Sequence, residues 1–250
     1  MKIAITGAVG PLGLRLAEEL TAAGHELRGP DDGVDGLDTD AVTAWCHGMD
    51  RIVHLPDVAR SRQNPEPDTN AEADSRILDT ALKGTWNVLC AARDAGIGQV
   101  VQVSDVAIYA GYDDEYILSE DMVALPDTSA EQQAIHLAEG VAHEFARERP
   151  GSVLTLRLGR LVDAAALPAD AAFDRDWLDL TDATAAIRRG LDLETYDHPS
   201  HWGLYNLVAD TPFCRFALRI RQGRFAFSPT VDFRAWWPEQ QETRARKDTP

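Results

Sequence analysis

The sequence predicts an α/β fold in which a doubly wound parallel sheet is followed by a small C-terminal α+β lobe. Two observations support this prediction. Short apolar segments alternate with helical segments through the first half of the chain, and the turns between them are short. This alternation is typical of β–α–β units, whose strands run parallel because each helix crosses over the sheet. After residue 162 the alternation loosens, which indicates a second and smaller unit.

The elements of the first half follow one another in a regular order. The predicted strands are "KIAITG", "HELRG", "DRIVHL", "QVVQVSD" and "SVLTLRLG". The predicted helices are "GLRLAEELTAAG", "DAVTAWCHG", a long helix from about Ala71 to Ala95, and the helix that "SAEQQAIHLAE" opens. In the last of these, Ser129 is the expected N-cap, and Gln132 stands where a capping box places a side chain that reaches back.

The sequence after residue 162 predicts fewer helices and strands. "DWLDLTDATAAIRRGLDL" is expected to form one helix and "WGLYNLVA" one strand. The last dozen residues, "EQQETRARKDTP", lack apolar periodicity and are typical of a frayed terminus. We therefore expect a main domain over residues 1–162, a small lobe over residues 163–238 and a flexible tail over residues 239–250.

Composition and charge exclude several classes of protein. The chain of 250 residues is 44% hydrophobic, which is enough for a sizeable core, and its three cysteines are too far apart to predict a disulfide framework or a zinc site. A net charge of −17 argues against nucleic-acid and membrane partners, which select for basic surfaces. The start "MKIAITGAVG" enters a strand directly, unlike a signal peptide, so a cytoplasmic location is expected.

A glycine loop, "TGAVGPLG", joins the first strand to the first helix. Its glycines, Gly7, Gly10 and Gly13, have the spacing that a tight turn, a close approach to a pyrophosphate and a helix–strand contact require. Pro11 suits the first helical turn, where its missing N–H costs nothing. The free N–H groups of that turn would bind phosphates. The loop predicts a dinucleotide site of the Rossmann type, with tight packing alone as the alternative.

Two aspartates follow the second predicted strand, about 20 residues beyond the loop. A carboxylate of Asp31 or Asp32 would accept hydrogen bonds from the adenosine ribose and would repel a 2′-phosphate. The pattern therefore favours NAD over NADP as the cofactor. The alternative is an ordinary acidic loop, which this chain has in plenty.

The sequence over residues 1–162 resembles the extended short-chain dehydrogenase/reductase family, the NAD-dependent epimerase/dehydratases. The resemblance rests on "TGAVGPLG", "GHELRGPDD", "DGLDTDAVTAWCHGMDRIVHL", "GTWNVLCAARDAG", "VVQVSDVAIYA" and "VLTLRLG", with a weaker echo in "DLTDATAAI" and "WGLYNLVAD". It implies a cofactor site that these further residues join: Leu12, Asp35 near the adenine, Leu55, Pro56 and Ser104. Pro56 and Asp57 replace two residues that are usually small in the family.

The resemblance also implies that the catalytic groups of the family are missing. Members of the family use a tyrosinate as acid and base, a lysine four residues later and a serine or threonine, together with an asparagine. On this chain those positions fall on Glu131, Ile135, Val106 and Ala81. A shifted alignment does not restore the lysine, because no lysine occurs between Lys83 and Lys247.

Three residues are weak candidates for a relocated acid or base. Glu131 would serve as a carboxylate base if it were desolvated, but a glutamate is also favoured in the first turn of a helix by the helix dipole. Tyr109 and Tyr112 lie in a tyrosine-rich loop and would donate a proton or simply pack. Arg160, where the family often has asparagine, would meet an anionic substrate group.

Three functions stay open at this point. The first is a NAD-binding sensor, regulator or partner subunit with a degenerate active site. The second is a working sugar epimerase, dehydratase or dehydrogenase with relocated acid and base groups. The third is an interaction scaffold without a cofactor. Many members of the family dimerise through a four-helix bundle that includes the helix opened by Ser129, so the resemblance also implies a homodimer as one option.

Overall fold

The computed structural model describes residues 1–29, 34–56, 71–148, 151–193, 201–223 and 225–238. Strands and helices alternate as far as β5. The strands are β1 Lys2–Thr6, β2 Glu26–Arg28, β3 Arg51–His54, β4 Gln99–Asp105, β5 Ser152–Leu158, β6 Arg160–Val162, β7 Trp177–Asp179 and β8 Trp202–Leu207. The α-helices are α1 Pro11–Ala22, α2 Thr39–Cys46, α3 Ala71–Asp79, α4 Thr85–Asp94, α5 Ala130–Glu148 and α6 Leu180–Leu191.

The main sheet of the described chain has six parallel strands in the order β2-β1-β3-β4-β5-β8. The chain runs outward from β1 to β2, returns to β3 on the other side of β1, and then continues to β8. Such a reversal of strand order opens a crevice at the carboxyl ends of the central strands. The predicted α/β fold with a doubly wound parallel sheet is therefore confirmed.

Helices cover both faces of the sheet, and each face has its own hydrophobic core. On one face, leucines of α1 and apolar residues of α6 pack against β1, β4 and β5. On the other face, residues of α2, α4 and α5 pack against the alternate side chains of β1, β3 and β4. This arrangement explains why the central strands read as nearly continuous apolar runs, since both of their faces are buried.

The structure corrects some of the predicted elements. The helix predicted from Ala71 to Ala95 contains a π-helical segment, Thr80–Gly84, between α3 and α4. The segment beginning "DWLDL" first forms β7, which pairs with β6, and only then α6. The strand β8 joins the main sheet beside β5. The sequence pattern predicted this strand but not the sheet to which it belongs.

The predicted start of α5 is confirmed, with one change in its capping. The N–H of Gln132 donates to Ser129 Oγ at 3.4 Å, as expected of an N-cap. The Gln132 side chain reaches back further than a capping box requires, and its Oε1 accepts from the N–H of Asp127 at 2.7 Å. In the part of the chain described, no helix is long and apolar enough to cross a lipid bilayer.

Candidate functional site

A cavity of about 690 Å³ opens at the edge of the sheet where β1, β3, β4 and β5 end. Residues that follow parallel strands meet at one edge of a sheet, and this edge is where open α/β sheets bind ligands. The wall of the cavity begins at the glycine loop after β1. It continues along the ends of the central strands and one side of α5, and it ends at residues that follow β5 and β8.

Two glycines of the loop are required by close backbone contacts. Gly7 has φ +65°, and a Cβ placed there would lie 1.9 Å from the carbonyl oxygen of Leu55. A Cβ on Gly13 would lie 2.4 Å from the carbonyl oxygen of Ala8. Gly7 therefore explains the tight turn that the spacing predicts, and Gly13 allows the start of α1 to pack closely against the loop itself at Ala8.

Gly10 differs from the other two because it faces open space. A Cβ on Gly10 would meet no atom of the protein within 4 Å. The residue lies on the cavity wall directly before α1, whose first residue is Pro11 and whose N-terminus has no side-chain cap. The N–H groups of Leu12 and Gly13 have no partner inside the helix, as in the first turn of any helix. The site therefore presents donors and free space together.

The other predicted cofactor residues divide between two neighbouring cavities. Leu55, Pro56 and Ser104 belong to the wall of the main cavity. Asp35 lines a second cavity of about 190 Å³, which shares Gly7, Leu55 and Pro56 with the first. The predicted ribose ligands Asp31 and Asp32 lie outside the described residues, as does Asp57.

His54 lines the second cavity. It is buried, and its ring nitrogens are 2.7 Å from Thr6 Oγ1 and 3.0 Å from Thr85 Oγ1. Burial disfavours the charged ring and lowers the pKa of His54 from 6.5 to about 4. The ring is therefore neutral at pH 7 and acts as a hydrogen-bonding link between β1, β3 and α4.

Three of the four positions that the resemblance assigns to the catalytic groups line the main cavity. Glu131 and Ile135 are one turn apart on α5, and both line the main cavity opposite Val106, which follows β4. Ala81, the position assigned to asparagine, is fully buried and packs with Ala134 in the contact between the π-helical segment and α5. Of these four side chains, only Glu131 carries an ionisable group.

The tyrosine candidates lie outside the wall of the cavity. Tyr109 is fully buried, its hydroxyl group donates to the carbonyl oxygen of Ser119 at 2.9 Å, and burial raises its pKa. The Tyr112 hydroxyl group donates to the carbonyl oxygen of Val123 at 2.8 Å. These positions do not support the prediction of a proton donor among the two tyrosines, because their hydroxyl groups serve the fold of the loop.

Sequence reasoning missed a buried polar network behind the wall. Ser104, at the end of β4, donates to Glu139 of α5. Glu139 also accepts two hydrogen bonds from Arg157 of β5, and the Arg157 guanidinium in turn contacts the Tyr109 hydroxyl group. A signal was available in "VLTLRL", because an arginine inside a buried strand needs an anionic partner.

The far end of the cavity is lined by charged residues. Arg160 is on the wall, with its side chain 67% exposed and its Nη1 3.3 Å from Asp174 Oδ2. Asp176 and Arg215 lie beside it on the same wall. Arg215 was not predicted as a site residue from the sequence. It follows β8, and the sequence pattern did not show where β8 lies in the sheet. Among the described residues, no group of side chains has the arrangement of a metal site.

One family of proteins matches the chain by sequence. The profile of the family described as "NAD dependent epimerase/dehydratase family" matches residues 3–162. This is more than half of the chain, and it includes the glycine loop and the residues of α5 that line the cavity. Among curated protein sequences, none matches the chain significantly.

Solved structures with the same fold are known at low sequence identity. A short-chain dehydrogenase/reductase superfamily protein from Agrobacterium tumefaciens with bound NAD is 17% identical with a TM-score of 0.74, and the match covers 99% of this chain and 98% of that one. MoeE5 in complex with UDP-glucuronic acid and NAD is 19% identical with a TM-score of 0.73 and coverages of 99% and 100%. Uronate dehydrogenase from Agrobacterium tumefaciens is 18% identical with a TM-score of 0.73 and coverages of 100% and 90%.

Proposed function

Because the chain belongs to the NAD dependent epimerase/dehydratase family, we propose that its main cavity binds NAD reversibly and does not carry out hydride transfer driven by a tyrosine–lysine pair. The protein then acts as a sensor, a regulator or a partner subunit that responds to the dinucleotide. The observation that carries this proposal is the apolar side chain of Ile135 on the cavity wall, at the position that the resemblance assigns to the lysine.

The glycine loop supports the proposal that the main cavity binds NAD. The open space at Gly10 is what a pyrophosphate needs for close approach, and a side chain there would fill it without disturbing the protein. The N–H groups of Leu12 and Gly13 at the start of α1 would donate to the phosphate oxygens, and the helix dipole favours an anion at that point. NAD is proposed as the dinucleotide because two of the structures with this fold contain it.

The lack of a lysine among the described residues of the cavity wall supports the proposal that a tyrosine–lysine pair does not drive hydride transfer here. Neither lysine of the described chain belongs to the cavity wall. Lys83 Nζ is 2.9 Å from Asp79 Oδ1 with the side chain 61% exposed, and Lys2 Nζ is 3.8 Å from Glu26 Oε1.

Hydride transfer to or from the nicotinamide is accompanied by the transfer of a proton, which a side chain of the protein must accept or donate. When bound, the nicotinamide ring would supply the hydride donor or acceptor, and residues of the chain would have to hold or move that proton. Without a neighbouring cation, a phenol keeps a pKa near about 10 and is a poor base at neutral pH. The apolar side chains of Ile135 and Val106 cannot exchange a proton at all.

One observation favours a second function. Glu131 is an ionisable side chain on the same wall, next to the apolar side chains of Ile135 and Ala138. A carboxylate that a bound ligand desolvates becomes a stronger base. The protein would then be a NAD-dependent sugar epimerase, dehydratase or dehydrogenase with Glu131 in place of the tyrosine.

Calorimetric titration of the purified protein with NAD⁺, NADH and NADPH tests the proposal. We expect NAD⁺ or NADH to bind and NADPH to bind more weakly. Gly10→Val should abolish binding, because the valine side chain occupies the space for the pyrophosphate. Gly140→Val is the matched control, since a Cβ on Gly140 also meets no protein atom but lies outside the cavity wall.

Each of the other possible results would contradict part of the proposal. A lack of binding at millimolar cofactor would remove both the sensor and the enzyme and leave a scaffold of this fold. Steady reduction of NAD⁺ by a sugar substrate that Glu131→Gln abolishes would replace the sensor by the second function. Turnover that Glu131→Gln does not affect would contradict both assignments.

A further inference from the structure

The charged side chains on the described wall of the main cavity are mostly acidic. The wall carries two more carboxylates than guanidinium groups, and its described part includes no lysine and no histidine. Its six charged residues are Asp105, Glu131, Asp174, Asp176, Arg160 and Arg215. A ligand that enters the cavity therefore meets a wall with a net negative formal charge.

The two arginines of this wall lie beside two of the carboxylates. Arg160 Nη1 is 3.3 Å from Asp174 Oδ2, and Arg215 Nη2 is 3.7 Å from Asp176 Oδ2. Opposite charges this close to each other largely cancel in their effect on a third, more distant charge. The excess of negative charge on the wall therefore lies toward α5 and the end of β4, where the other two carboxylates are.

Glu131 faces the cavity from the first turn of α5. Ile135 and Ala138 follow it at helical spacing, and all three line the cavity, as expected of one helix face that is turned toward it. Neither Ile135 nor Ala138 can neutralise the carboxylate, since both side chains are apolar. Asp105 approaches from the end of β4, and its Oδ1 accepts from the N–H of Ala107 at 2.8 Å.

The two cavities leave separate places for the two halves of a dinucleotide. An open sheet binds a dinucleotide across the point where its strand order reverses, with the pyrophosphate at the glycine loop. The adenosine half would lie in the second cavity, which Asp35 lines, so the nicotinamide half would extend through the main cavity toward β4. Only β3 lies between β1 and β4, so the ends of these strands are about 10 Å apart at the usual strand spacing.

We propose that the carboxylates of Glu131 and Asp105 make the cavity selective for the oxidised cofactor, so that the protein binds NAD⁺ more tightly than NADH. The inference rests on the proposed function and deepens it, because it names the form of the dinucleotide to which the protein responds. The nicotinamide ring carries a positive charge in NAD⁺ and none in NADH, whereas the rest of the molecule is the same. A carboxylate near the ring therefore stabilises the oxidised form selectively.

Calorimetric titration with NAD⁺ and with NADH measures this selectivity as the ratio of the two dissociation constants. We expect NAD⁺ to bind about tenfold more tightly at low salt, which is the effect of one pair of opposite charges near a protein surface. The same titrations at about 1 M salt should give a ratio closer to unity, because salt screens the interaction between partly exposed charges.

Glu131→Gln removes the carboxylate with almost no change of shape. The selectivity for NAD⁺ should fall by about threefold or more, mainly because NAD⁺ binds more weakly. Asp105→Asn should act in the same direction, and its amide oxygen can still accept from the N–H of Ala107. Glu144→Gln is the matched control, since it removes the same charge from the same helix about 20 Å away and should leave the ratio unchanged.

Ile135→Lys tests the direction of the effect. A lysine one turn from Glu131 places a cation on the same face of α5, so it should abolish or reverse the preference for NAD⁺. Ile135→Met is the neutral control of similar length, and it should keep the preference of the unchanged protein.

The other possible results separate the selectivity from the proposed function. Equal affinities for the two forms, or tighter binding of NADH, would refute the selectivity and leave the proposed function standing. A preference for NAD⁺ that persists in both Glu131→Gln and Asp105→Asn would also refute it, because the shape of the ring would then be the cause. If neither form binds at about 1 mM, the proposed function falls and the selectivity falls with it.

Discussion

Glu139 and Arg157 form an ion pair inside the protein, with both side chains only 5% exposed. Arg157 Nε donates to Glu139 Oε1 at 2.8 Å, and Arg157 Nη2 donates to Oε2 at 2.5 Å. The pair joins α5 to β5 and reaches the cavity wall through Ser104. It therefore fixes the helix that presents Glu131 and Ile135 to the cavity.

Removal of one partner of this pair is expected to destabilise the whole protein. Glu139→Gln leaves the charge of Arg157 buried without an anion, which costs about 3–5 kcal/mol in the free energy of unfolding. Urea denaturation followed by circular dichroism measures this loss. Glu144→Gln is the control on the same helix, because Glu144 is 60% exposed and its pair with Arg147 contributes little. Equal effects of the two changes would show that the buried pair does not stabilise the fold.

The stability of the protein is expected to fall between pH 6.5 and pH 4 because of His54. Its pKa in the folded protein is about 4, below the ordinary value of 6.5, so the unfolded chain binds a proton that the folded chain does not. Stability from this residue is complete above pH 6.5 and decreases by up to about 3 kcal/mol as the pH falls to 4.

Urea denaturation at several pH values measures this dependence. His54→Gln should show a smaller decrease than the unchanged protein, and the exposed His47→Gln should show the same decrease. Equal pH dependence in His54→Gln and the unchanged protein would contradict the prediction.

The two glycines at the start of the loop are expected to respond in opposite ways to the same change. Gly7→Ala places a Cβ 1.9 Å from the carbonyl oxygen of Leu55 at a φ of +65°, which should cost more than about 2 kcal/mol. Gly10→Ala should leave stability almost unchanged, because its φ of −87° suits any residue and its Cβ meets open space. Thermal denaturation distinguishes them, and a large loss in Gly10→Ala would contradict the geometry of the loop.

Positions 131 and 135 of α5 are expected to interact electrostatically if Glu131 is replaced by tyrosine and Ile135 by lysine. In Glu131→Tyr with Ile135→Lys, the lysine lies one turn from the new phenol and should lower its pKa by about 1 unit or more. Glu131→Tyr with Ile135→Met is the neutral control of similar length. The ultraviolet absorbance of tyrosinate, measured as a difference between the two variants during a pH titration, reports this pKa. Identical titrations would show that the two side chains do not face each other.

Local patterns in the sequence determined most of the main sheet and the glycine loop. The strands β4 and β5 are rich in valine and leucine, and Gly7, Gly10 and Gly13 have a spacing that few other structures require. These features depend on neighbours along the chain, so they are visible without the fold. The presence of Ile135 at the position that the resemblance assigns to the lysine is visible in the same way, because it concerns the identity of one residue.

Features that depend on distant pairs were decided only by the tertiary structure. Nothing near Arg157 in sequence identifies Glu139 as its partner, and nothing near Arg215 places it on the same wall as Arg160. The position of β8 beside β5 brings Arg215 to that edge of the sheet. The sequence by itself therefore determined the fold class and the glycine loop, whereas the tertiary structure decided which charges are paired and which face the cavity, because burial and pairing depend on strand order.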